Sequence, residues 1–78
     1  FSKAIALYEQ VIDIAPQDYR GYYQLGLLLR DAKDYRGAET MLRRASELSR
    51  DDVNILRQLG AIIALNLVHH PQEASVHS

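Results

Sequence analysis

Three histidines, His69, His70 and His77, carry the most conspicuous chemistry in this sequence. Imidazole suits Zn²⁺, Cu²⁺ or Ni²⁺. No carboxylate or thiolate accompanies them at a recognised ligand spacing, so no metal site is expected. The chain has no cysteine. That removes a disulfide framework, thiolate metal ligands and a cysteine nucleophile. It fits oxidising and reducing compartments equally. Ser46 and Ser49 have no histidine partner nearby, and no Gly-rich phosphate loop, nucleophile elbow or paired carboxylates occur. No catalytic residue and no cofactor is therefore predicted, and the chain is not expected to be an enzyme.

Charge narrows the classes further. Nine basic residues stand against ten acidic ones, for a net charge of −1. A nucleic-acid binder needs a clustered positive excess to neutralise phosphates, and Arg43-Arg44 alone is too small for that. A membrane anchor driven by charge is excluded on the same ground. No apolar run approaches the roughly 20 residues that span a bilayer. Arg36, Glu39, Arg43 and Glu47 alternate in sign at helical spacing, which reads as a solvated, salt-laced helix face. With 47% hydrophobic and 24% charged residues, the composition is that of a folded chain. A chain of 78 residues buries only about 60% of the surface it exposes unfolded, so its margin of stability is thin.

The elements that must hold these side chains show themselves as a repeat. Leu25-Gly26 recurs as Leu59-Gly60, and Ala4 recurs as Ala38, each 34 residues on (59 − 25 and 38 − 4). At the same offset Phe1 meets Tyr35, Leu7 meets Met41, Tyr8 meets Leu42 and Val11 meets Ala45. Ile14 meets Leu48, Tyr22 meets Leu56, Leu28 meets Ile62 and Leu29 meets Ile63. Self-similarity at such a period marks a stack of supersecondary units. Within each unit, Tyr22, Leu25, Gly26 and Leu29 follow the i, i+3, i+4, i+7 pattern of one helix face. Ala38, Met41, Leu42, Ala45 and Leu48 line another. Strand alternation is absent, so the fold class is all-α.

Local signals set the boundaries. Pro16 cannot continue a helix. Asp18, Asp34 and Asp51 or Asp52 can each accept from the free N–H groups of the helix that follows. Helices are predicted at about 2–14, 19–32, 35–48 and 53–67, with short links that imply antiparallel neighbours.

The segment Tyr22-x-x-Leu25-Gly26-x-x-Leu29, followed by Tyr35-x-x-Ala38-x-x-x-Leu42-x-x-Ala45, resembles the tetratricopeptide repeat signature. Phe1-x-x-Ala4-x-x-x-Tyr8-x-x-Val11-x-x-x-x-Pro16 is similar to the second helix of a preceding repeat. Leu56-x-x-Leu59-Gly60-x-x-Ile63 is similar to the first helix of a following one. The resemblance implies a right-handed superhelix of antiparallel helix hairpins, with about four helices here. Residues 1–16 would be a second helix, 19–50 a complete repeat, 53–67 a first helix, and 68–78 a loop or frayed tail. The chain opens at Phe1 within a helical pattern and is read as a piece of a longer array. Arg50 stands where the family usually has proline, which predicts a less sharply turned second link. Leu29 replaces the usual tyrosine.

Small residues should mark the close crossings, since interaxial distance depends on the side chains at the contact. Gly26 is expected against Ala38, and Ala45 near Leu59 or Ile63. Gly60 should repeat the role of Gly26, with Ala4, Tyr8, Leu25 and Leu59 completing the packing. In the family, the first helix of each repeat lines a concave face. The resemblance carries that role onto Arg20, Tyr23, Leu27 and Arg30 (with Asp31) in one helix. In the next it falls on Asn54, Arg57 and Ala61, with Ala64. This mixture implies a protein partner: an extended peptide or a helix with some acidic character. Simple solvation would equally account for Arg20, Arg30 and Arg57. One subfamily grips a C-terminal carboxylate with paired Lys and Asn; the matching positions Tyr23, Gln24, Leu27, Asn54 and Gln58 hold no Lys, so that clamp is not expected. A scaffold or adaptor segment is the leading expectation. The alternatives are homo-oligomerisation through uncovered end helices and a regulatory appendage of an enzyme.

Overall fold

Three aspartates open three of the four helices. The computed structural model describes residues 2–69, in the order α1 (Ser2–Ile14), α2 (Tyr19–Asp31), α3 (Tyr35–Leu48) and α4 (Val53–His69). Phe1, His70, His77 and the rest of the expected tail lie outside the described residues. Asp18 accepts from the Arg20 N–H at 3.0 Å, Asp34 from the Gly37 N–H at 3.1 Å, and Asp52 from the Asn54 N–H at 2.9 Å. Each satisfies a donor that the first helical turn leaves without a partner.

The ends of the helices have separate causes. Asp34 N–H donates to Leu29 O at 2.8 Å and Lys33 N–H to Arg30 O at 2.9 Å. This pair of bonds is a Schellman closure, with Lys33 in the left-handed conformation at φ 66°. It ends α2 at Asp31, one residue before the expected 32. Asp34 then closes one helix with its backbone and opens the next with its side chain. The α1–α2 and α3–α4 links share one turn: Asp18 N–H reaches Ala15 O at 3.1 Å, and Asp52 N–H reaches Ser49 O at 3.4 Å. With Arg50 in place of proline the same turn forms, with the longer hydrogen bond of the two. No stop signal falls between Leu67 and Pro71, and α4 runs to His69, past the expected 67.

Each helix packs on the next in the chain, and the core lies along these contacts. Tyr22, Ala45 and Ile55 form one buried cluster; Ala38, Leu42 and Ile62 form the other. Leu25 is buried as well, while Ala4, Tyr8 and Leu59 are half-buried. Ala45 thus sits with Ile55 and Tyr22, not beside Leu59 or Ile63, because the antiparallel register of α3 on α4 pairs the end of one with the start of the other. At Gly26 an added Cβ would lie 2.8 Å from Leu42 Cγ and 3.4 Å from the Ala38 carbonyl oxygen. Leu42 is its nearest neighbour, ahead of Ala38. A second close approach occurs at Gly21, where a Cβ would meet Ile12 Cγ1 at 3.2 Å and Val11 Cγ1 at 3.3 Å. At Gly60 nothing among the described residues lies within 4 Å, and Leu56, the repeat equivalent of Tyr22, is exposed. Among the described residues, no helix covers the α4 face that corresponds to the α2 face meeting α3.

Candidate partner-binding face

The side chains expected to line the concave face divide by what already holds them. Asp18 fixes Arg20: its carboxylate accepts from Arg20 Nε at 3.0 Å and from Nη2 at 2.7 Å. Those bonds, with the Arg20 backbone N–H, hold the Asp18 carboxyl down to about 2. Arg20 is thus tied to the helix cap it follows.

Arg30 is committed in another way. Its Nη1 donates to Gln58 Oε1 at 2.6 Å, and its Nη2 pairs with Asp31 at 3.2 Å. The first bond joins α2 directly to α4, across the helix between them in the chain. Arg30 reads from sequence as a free cation; its partner is 28 residues away, and no local pattern connects the two.

Arg57 and Asn54 are different. Both are exposed on α4, and neither side chain has a hydrogen bond or ion pair among the described residues. Apolar surface accompanies them: Tyr23 and Leu27 are half-buried on α2, and Ala61 and Ala64 are exposed on α4. Tyr23 packs against both core clusters, so its ring is held by the interior while part of it stays accessible. A side chain anchored that way loses little freedom on binding.

Polar contacts elsewhere are internal. Asn66 Nδ2 donates to Tyr35 O at 3.0 Å and to Glu39 Oε1 at 2.7 Å, pinning α4 to the start of α3. Its Oδ1 is buried with no partner among the described residues. From sequence Asn66 is only a break in an apolar run, and nothing in its surroundings there marks it as a cross-link. Glu39 also accepts from Arg43, and Arg44 pairs with Glu47. The Glu39 carboxyl is lowered, first by the Arg43 hydrogen bond. These are the contacts of a solvated helix face. No group of three or more His, Cys, Asp or Glu that could hold a metal occurs among the described residues, and no helix there is long and apolar enough to cross a membrane.

A family model described as tetratricopeptide repeat matches residues 1–63. No curated protein and no solved structure gives a significant match to the chain. Repeats of the matched family generally mediate protein–protein interaction and are typically non-catalytic.

Proposed function

The chain belongs to the tetratricopeptide repeat family, and from that premise we propose that it is a non-catalytic adaptor segment. It holds an extended or helical stretch of a partner protein against Tyr23, Leu27, Arg30, Asn54, Arg57 and Ala61, with Arg20 at the edge. The observation that carries this reading is the state of Arg57. It is exposed and unpaired among the described residues, whereas Arg20 and Arg30 already face carboxylates. A partner carboxylate docking beside Tyr23 would gain a charge-assisted, bidentate contact there. Affinity purification with the wild-type chain should recover a partner that Tyr23→Ala with Arg57→Glu loses. A partner that stays bound to the double variant would refute the assignment of this face.

A second reading, self-association, rests on separate residues. Leu7 and Ile14 on α1 and Val53, Leu56, Leu67 and Val68 on α4 are large apolar side chains left in solvent, Ile14 being 84% exposed. Apolar surface of this extent is normally covered in a repeat array. A second copy could supply the missing helix contacts. Sedimentation should then show dimers or larger species at high micromolar concentration; monomer alone would end this reading.

A further inference from the structure

We infer that the open pocket bounded by Glu9, Ile12, Asp13, Tyr22, Leu25 and Met41 is a second docking site, which takes an arginine side chain of a partner protein. It does not depend on the face proposed above. Leu25 points away from that face, since residues two apart on a helix, such as Tyr23 and Leu25, differ by roughly 200° in direction, and Glu9, Ile12, Asp13 and Met41 lie on α1 and α3.

The pocket's walls differ in chemistry. Glu9 and Asp13 stand one turn apart on α1, a spacing that puts their Cβ atoms about 5–6 Å from each other. Both are exposed, and neither has a hydrogen bond or ion pair among the described residues. Other carboxylates there are engaged. Asp18, Asp31, Glu39 and Glu47 face guanidinium groups, and Asp34 and Asp52 cap helices; Asp51, in the last link, does not line this pocket. Below the two acids the lining turns apolar. Ile12 and Met41 are half-buried, and Tyr22 and Leu25 belong to the buried core. Tyr22 is 9% exposed and its hydroxyl donates to Pro16 O at 3.0 Å, so it adds apolar lining and not a donor.

Arginine fits both halves. Its methylene stem lies along apolar surface while the head reaches polar groups. The planar head can bridge two carboxylates one turn apart. The guanidinium of Arg44 lies over the Tyr22 ring, 5.9 Å from its centroid, so the incoming head is left to the carboxylates. Arg44 comes from α3 and its charge is matched by Glu47, so it leaves the α1 carboxylates unpaired. The cavity, about 470 Å³, is in the range that accepts a small ligand. A metal ion would find only two carboxylates here, with no third ligand among the described residues.

The test is a titration of the isotope-labelled 78-residue chain with acetyl-Leu-Arg-Leu-amide, followed by amide NMR shifts. The peptide should move Glu9, Ile12, Asp13, Tyr22 and Met41 saturably, with a dissociation constant near millimolar. Acetyl-Leu-Gln-Leu-amide should bind about tenfold more weakly, as should the Glu9→Gln, Asp13→Asn double variant, because charge-assisted hydrogen bonds are lost in both. Both acids are exposed, so the variant should keep its fold, which its own spectrum reports; Glu9→Gln alone is the milder control. Asn54→Ala with Arg57→Glu, both exposed on α4, should bind the arginine peptide unchanged. Equal binding of the two peptides, no loss in the carboxylate variants, or shifts centred on Tyr23, Asn54 and Arg57 would overturn the inference.

Discussion

The α1–α2 and α3–α4 crossings occupy the same place in successive repeats and fill it with reversed volumes. At the first, Gly21 on α2 lies against Val11 and Ile12 of α1. At the second, Ile55 on α4 is fully buried in one cluster with Ala45 of α3. Val11 is the repeat equivalent of Ala45, and Gly21 that of Ile55 (45 − 11 and 55 − 21 are both 34). One crossing pairs a large residue on the earlier helix with glycine. The other pairs a small residue there with isoleucine. What persists between repeats is the filled volume, not the residue at either position, as close packing of interiors requires.

The comparison can be broken most forcefully at Ile55. Ile55→Ala should cost about 2–5 kcal/mol of stability, a large share for a chain this small. Ala45→Val should restore part of the loss in the double variant, since the two residues share one space. Denaturant midpoints of the four proteins would decide it, and strict additivity would show that the volumes are not coupled. The mirror experiment is smaller. Gly21→Ala sets a Cβ 3.2–3.3 Å from Ile12 and Val11 and should destabilise by about 1 kcal/mol or less, because the gain in helix propensity offsets part of the crowding. Val11→Ala in the same chain should ease that penalty. If Gly21→Ala proves neutral, the crossing is looser than this contact implies. The last comparison is a difference of sign between Gly26 and Gly60. Gly60→Ala meets nothing within 4 Å and should raise stability by about 1 kcal/mol through helix propensity. Gly26→Ala, driven into Leu42, should lower it. Thermal melts that move in the same direction for both would remove the distinction.

These crossings also show what the sequence could convey. Asp18, Asp34 and Asp52 are legible as helix starts because their chemistry is local: a short acceptor beside free N–H groups. Pro16 is legible as a stop for the same reason. Register between helices is not local. Ala45 invites a partner among Leu59 and Ile63 when only its small size is considered, yet its partner Ile55 follows from the volumes on both faces at once. Gly60 repeats Gly26 in sequence, but a close approach needs a neighbour, and a residue type cannot say whether one is there. The members of the candidate face come from the repeat alone. The division within it, with Arg20 and Arg30 engaged and Arg57 open, depends on rotamers and on Gln58, which only three dimensions bring near Arg30.

The hydrogen bond from Arg30 to Gln58 skips a helix, and that has a mechanical meaning. Successive helix contacts act as hinges in series, and bending at each would let the stack open like a coil. A strut between alternate turns of such a coil resists extension on the side that carries it. Gln58→Leu would remove that strut while leaving the hinges in place, so the coil should become easier to stretch. Stiffness of the whole array would then be adjustable one amide at a time, separately from the stability of its parts.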